Sequence, residues 1–171
     1  MKNQRNLTVS LLCAALAGCA GQAPQTADEF RQQAPGAFLM GKETLEVNRP
    51  FRDVAETFRR KAPECLNVAV RSVSQSSTSY QNIVAEYKPT VLITKDRAEL
   101  HLQRKYTKGV MNVYKEPEEG HYILIADAYP VPPNKTRVEL IAPTRGLDAV
   151  VRAVKGWATG ENVGCPDMTK N

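Results

Sequence analysis

The sequence predicts an α+β fold: an antiparallel sheet of about six or seven strands, with an N-terminal and a long C-terminal helix packed on one face. Three observations predict it. Phe51, Val54, Ala55, Phe58 and Ala62 recur at helical spacing, so they form one apolar stripe. Between residues 66 and 141, short segments alternate apolar with polar side chains, the period of half-buried strands. Leu147, Val150, Val151, Val154, Trp157 and Ala158 then make a second helical stripe. Strand, helix, a run of strands and a closing helix is the order of a two-layer α+β domain.

The chain begins with a leader. Lys2 and Arg5 precede an apolar run from Leu7 to Leu16. A run of about ten residues has the size of a signal-peptide core and falls short of the ~20 needed to span a bilayer. Leu16-Ala17-Gly18-Cys19 closes it. These four residues resemble the lipobox of bacterial lipoproteins. The resemblance implies removal of residues 1–18, diacylation of Cys19 and a permanent anchor, because each buried CH₂ contributes ~0.8 kcal/mol. Ala20 in place of Asp implies sorting to the periplasmic face of the outer membrane. Residues 19–36, rich in Ala, Gln, Pro and Gly, read as a flexible tether, and 37–171 as a single α+β domain. Within the tether, Thr26-Ala27-Asp28-Glu29 has capping-box form, predicting a short helix before Pro35 with Phe30 as its main apolar residue.

Thr44–Val47 alternates as a first strand. Pro50 suits the first turn of the helix that follows, and Pro63 is expected to stop it, leaving Cys65 just beyond. Leu66, Val68 and Val70 begin the next strand, and the serine-rich stretch 72–80 reads as a frayed end or loop. Ile83–Tyr87 is a strand that Lys88-Pro89 should interrupt. Val91–Ile93 and Ala98–Leu102 flank Lys95-Asp96 as a tight hairpin. In the second arm, Ala98, Leu100 and Leu102 face the core while Glu99, His101 and Gln103 are expected to face water. Val110, Met111, Val113 and Tyr114 suggest a further strand, Pro117–Gly120 a turn, and Tyr122–Ala126 the central strand. Pro130–Asn134 is a stiff connection, and Arg137–Ile141 closes the sheet. Thr144 is placed to cap the last helix and Gly160 to end it.

Removing residues 1–18 from the 171 leaves 153, enough for one domain with a proper core. Of 23 basic residues Lys2 and Arg5 leave with the leader, so the remainder exceeds the 18 acidic residues by only three. That balance gives no reason to expect nucleic acid as a partner. Cys13 also leaves, and Cys19 is assigned to the lipid. In an oxidising compartment the remaining pair, Cys65 and Cys165, is expected to form a disulfide. If both helices lie on one sheet face, the ends that carry these cysteines meet.

No catalytic set stands out. His101 and His121 lack a second histidine or cysteine at metal-ligand spacing, so no metal or cofactor is expected, and both read as surface residues. Glu116, Glu118 and Glu119 straddle a turn and read as solvated. There is no Gly-x-Ser-x-Gly elbow and no phosphate loop. Tyr80, Tyr87, Tyr106, Tyr114, Tyr122 and Tyr129 fall in or beside strands. With Trp157 they are candidates to line a groove for a glycan, peptide or acyl chain, though ordinary strand packing explains the same residues. Arg104, Lys105, Lys108 and Lys115 are a basic cluster suited to an anionic envelope surface or a solvated edge.

In element order, residues 38–160 resemble helix-grip (START-like) domains, and more loosely the accessory lipoproteins of outer-membrane protein assembly. The first resemblance implies a ligand cavity between sheet and final helix. The chain departs from that pattern by having one helix where extra helix is usual. The expected function is therefore a non-enzymatic envelope lipoprotein, held to the membrane by Cys19, that contacts envelope proteins, peptidoglycan or lipid. The alternative is a module binding a lipid or small hydrophobic ligand between the sheet and the C-terminal helix.

Overall fold

The computed structural model describes residues 23–75, 80–108 and 117–169. The expected leader, Cys19, the expected strand around Val110–Tyr114, Lys115 and Glu116 lie outside the described residues. In chain order the elements are α1 (Ala27–Gln33), a 3-10 turn (Ala34–Gly36), β1 (Met40–Val47), α2 (Phe51–Leu66), β2 (Val68–Gln75) and β3 (Tyr80–Ile93). They continue with β4 (Ala98–Lys108), β5 (His121–Val131), β6 (Lys135–Pro143) and α3 (Asp148–Thr159). The strands form one antiparallel six-stranded sheet in the order β1-β6-β5-β4-β3-β2. This is the predicted α+β architecture, with β5 inside the sheet.

The main core lies between one sheet face and the helices α2 and α3. Phe58, Leu66, Val150, Val154 and Trp157 come from the helices, and Leu100, Leu102, Leu124 and Val138 from the strands. All are essentially inaccessible to solvent. Arg49 ties the helices together: its Nη1 donates to the carbonyl oxygens of Trp157 (2.7 Å) and Ala158 (3.1 Å), and its Nη2 to Thr57 Oγ1 (3.2 Å). A cation on the last carbonyls of α3 satisfies groups that the helix leaves unpaired and complements its dipole. Gly160 ends α3 in the left-handed conformation, φ 85°, as predicted. Cys65 and Cys165 are joined in a disulfide across a sequence separation of 100.

Four boundaries differ from expectation. α2 runs through Pro63 to Leu66 because its last turn carries Cys65 and Leu66, both buried, so tertiary packing outweighs the loss of one helical hydrogen bond. β3 runs unbroken through Pro89, which pairs with Leu102. β2 reaches only to Tyr87, so Pro89 lies where β3 is an edge strand and a missing N–H is tolerated. α3 starts at Asp148 rather than after Thr144, whose hydroxyl donates to the Leu39 carbonyl instead. Residues 27–36, assigned to a tether, are folded onto the sheet.

The capping signal in that stretch is real. Thr26 Oγ1 accepts from the Glu29 amide (3.2 Å), and Glu29 Oε2 accepts from the Gln25 amide (2.7 Å). The helix so started, α1, crosses the sheet face opposite α2 and α3. There Phe30 and Ala34 pack on Ile125 and Ile141, with Met40 and Tyr122 at the margin, as a second small core. The sheet is covered on both faces, and the body has three layers in the region of β4, β5 and β6.

Candidate functional site: a buried charge cluster under α1

Strand alternation sends Glu99, His101 and Gln103 of β4 to the face covered by α1, together with Asp127 of β5. All four are buried. A β-bulge then adds Tyr122 to the same face. Leu102 pairs with Leu124 but Gln103 pairs with Tyr122, so Ile123 is an extra residue and the parity of β5 changes there. Tyr122 consequently stands 6.1 Å from the Phe30 ring and 5.9 Å, edge-on, from His101.

Arg31, one residue after Phe30 on α1, inserts its guanidinium into this group. Its Nε donates to Asp127 Oδ2 (2.7 Å) and its Nη2 to Asp127 Oδ1 (2.8 Å), a two-pronged pair. Nη2 also donates to Glu99, and Nη1 to Asp28 Oδ1 at 2.7 Å. Arg97 holds Glu99 from the other side, its Nε donating to Oε1 at 2.8 Å. His101 Nε2 lies 3.0 Å from Glu99 Oε2 and 3.1 Å from Arg31 Nη2. A single ring nitrogen cannot serve both, and an N–H directed at the carboxylate is the favourable arrangement.

The titration behaviour follows from this geometry. Hydrogen bonding to Asp127 raises Arg31 further above its already high value, against burial. Burial alone would push Glu99 up, but hydrogen bonds from Arg97 and Arg31 outweigh it and hold the carboxyl below its ordinary range. Burial, together with the charge of Arg31, holds His101 below its ordinary value despite the hydrogen bond it makes to Glu99. The imidazole is neutral at pH 7.

Both shifts destabilise the fold in acid. Unfolded, His101 takes up a proton near 6.5; folded, it does so only at lower pH. The unfolded state therefore binds more protons just below 6.5, and stability falls as pH drops through that interval. Glu99, ordinarily 4.5 and lower in the folded state, adds a second loss below 4.5. The urea midpoint should be flat above about pH 7 and decline on acidification towards pH 5, and His101→Gln should flatten that upper limb. A wild-type midpoint unchanged between pH 7 and 5 would contradict this assignment.

Side-chain atoms of Glu99, His101 and Asp127 lie within 4.8 Å of one another, a donor set that could hold a metal ion. Arg31 stands among the three and supplies the positive charge itself. An open cleft of about 380 Å³ adjoins the cluster, bounded by Thr26, Asp28, Thr90, Leu92, Arg97 and Tyr122. Its walls combine two carboxylates with two guanidinium groups and one exposed leucine.

The expected surface position of His101 is thereby corrected: it is 5% exposed, because α1 covers the polar face of β4. The described aromatic residues do not converge on one groove. Tyr87 and Trp157 belong to the main core and Tyr106 packs against it. Tyr122 and Tyr129 are on the opposite face, with Arg137 5.2 Å over the Tyr129 ring. Tyr80 opens β3. Trp157 and Phe58 also fill the interval between sheet and α3 in which the alternative reading places a ligand. The turn at Glu118 and Glu119 is present, with the Gly120 amide donating to the Pro117 carbonyl (2.9 Å); Glu119 pairs with Lys88. Sequence reasoning missed Arg31 and Asp127. The available signal was the unbroken apolar run of β5, since a strand apolar on both sides is covered on both sides.

No family model matches the chain, and neither does any curated protein. Among solved structures, the chain is similar to hypothetical protein jhp0584 from Helicobacter pylori, at 10% identity and a TM-score of 0.40, over 76% of this chain and 90% of that one. It is more distantly similar to the di-domain ARO/CYC StfQ from the steffimycin biosynthetic pathway. That likeness has 10% identity and a TM-score of 0.28, over 74% of this chain and 44% of that one.

Proposed function

We propose that the chain is a non-enzymatic envelope lipoprotein, anchored through acylated Cys19 at the periplasmic face of the outer membrane. Its folded body contacts proteins or other envelope components there. The observation that carries this reading is the lipobox-like Leu16-Ala17-Gly18-Cys19, and the latch of α1 to the sheet supports a close placement of the body beside that anchor. The first folded element after the lipobox is not a loose spacer: it is fixed by Arg31 to Asp127 and Glu99. Four peptide steps join Cys19 to Ala23, where the described residues begin. That is at most about 14 Å of extended chain. A domain so joined is apposed to the bilayer rather than suspended from a long tether.

The charge cluster supports a structural rather than a catalytic role for the site. Both carboxylates are committed to arginines, and the neutral imidazole is directed at Glu99. Neither carboxylate there is free to accept a proton from a substrate. Growth with labelled palmitate, followed by mass analysis of the N-terminal peptide, tests the anchor. Cys19 is expected to be the first residue and to carry acyl chains, and Cys19→Ser is expected to be unlabelled. A retained leader with an unmodified Cys19 would reject the reading.

A further inference from the structure

We infer that the β3–β4 hairpin tip is a second membrane contact, which lays Leu92 and Ile93 on an anionic bilayer surface beside the lipid anchor. The inference rests on the anchor reading above and goes beyond it by assigning which surface faces the membrane.

The tip combines exposed apolar and basic groups. Leu92 and Ile93 are 50% and 44% exposed, among the few large apolar side chains of the described residues that water reaches. Strand alternation points them to opposite faces of β3, so the tip is apolar on both sides. On the Ile93 side an open groove of about 480 Å³ is lined by Phe51, Val91 and Ile93, with Arg52, Arg59 and Lys95 against a single acid, Glu56. Arg59 is paired with Glu56. Lys95 and Arg52 are exposed, and neither has an ion-pair partner among the described residues. Exposed apolar side chains ringed by cations suit an interface with anionic headgroups, into which the apolar groups dip.

The entry point of the chain decides between this and other surfaces. Leu92 and Arg97 border the same cleft as Thr26 and Asp28, so α1 starts beside the hairpin tip. From there α1 runs across the sheet to Met40, which pairs with Pro143 at the opposite end. The short connection from Cys19 therefore arrives at the tip end of the body. Phe38 (90% exposed) and Val73 (56%) lie towards the other end, pointed away from the bilayer. Of the acidic residues near the tip, Asp28, Glu56 and Glu99 are paired with Arg31, Arg59 and Arg97, so among the described residues Lys95 and Arg52 face only Asp96 as an unpaired acid beside them.

The acylated full chain in phosphatidylglycerol–phosphatidylethanolamine vesicles with acyl-brominated lipid tests this. Trp157 is buried in the core, so its emission serves as an internal reference. A Leu92→Trp reporter should lose most of its added emission to the brominated chains, whereas a Val73→Trp reporter should keep it. Replacing phosphatidylglycerol with phosphatidylcholine, or adding Lys95→Glu and Arg52→Glu, should restore much of the Leu92→Trp signal. Equal quenching at both reporters, or none at Leu92→Trp in a protein whose Cys19 is verified as acylated, overturns the docking and leaves the anchor standing. Quenching that ignores headgroup charge overturns the anionic surface as the partner. An unacylated Cys19 overturns the anchor and the docking together.

Discussion

Replacing Arg31 by alanine should lower the stability of the domain by about 3–5 kcal/mol, the usual cost of breaking a buried ion pair from one side. Asp127 is the reason the effect is large. It is 3% exposed, both of its oxygens are held by Arg31, and its place inside the sheet denies it water. Glu99 would keep Arg97, so the penalty falls chiefly on β5. The uncompensated charge, rather than the lost contact, is what destabilises. Removing both charges in Arg31→Met with Asp127→Asn should therefore recover part of the loss, a non-additive result that a double-mutant cycle in urea would read. A single-variant loss below about 1 kcal/mol would place Arg31 with ordinary surface pairs.

Trp157→Ala should cost about as much, roughly 3–5 kcal/mol, through a cavity rather than a charge. The indole is 1% exposed and is the largest of the fully buried side chains. Arg49 grips the carbonyl of the same residue, so the end of α3 is held while its side chain is gone, and the space is slow to collapse. Trp157→Phe should be much milder. It keeps an aromatic ring and removes Nε1, which has no hydrogen-bond partner among the described residues. Chemical denaturation of the two variants side by side checks this, and equal losses would contradict it.

The parts of this fold that were legible in the sequence are those that bury carbon. The stripes Phe51–Ala62 and Leu147–Ala158 marked both helices, because a helix that covers a sheet has to present an apolar face at its own period. The alternation at Ala98–Leu102 marked a strand for the same reason. What escaped was the second face. Glu99, His101 and Gln103 read as facing water because polarity alone does not distinguish water from an arginine as the partner. α1 buries little carbon, essentially Phe30 and Ala34, and its remaining hold is one guanidinium. An interaction between Arg31 and a carboxylate 96 residues away leaves no local pattern. Pro63 and Pro89 misled in the opposite direction. Each is a strong local signal for an ending, yet one sits in a turn pinned by Cys65 and the other on a stretch of β3 that pairs with β4 alone.

The order of the sheet places β1 and β2 at opposite edges although α2 alone separates them in sequence. Six strands leave five gaps, and at ~4.8 Å each the sheet is about 24 Å wide. The 16 residues of α2, rising 1.5 Å apiece, are also about 24 Å long. The helix thus works as a ruler that sets how many strands fit between its two neighbours. One turn fewer would stop the chain about one strand short of its seat beside β3. A sixth strand is possible because α2 continues past Pro63 for the three residues that complete its span.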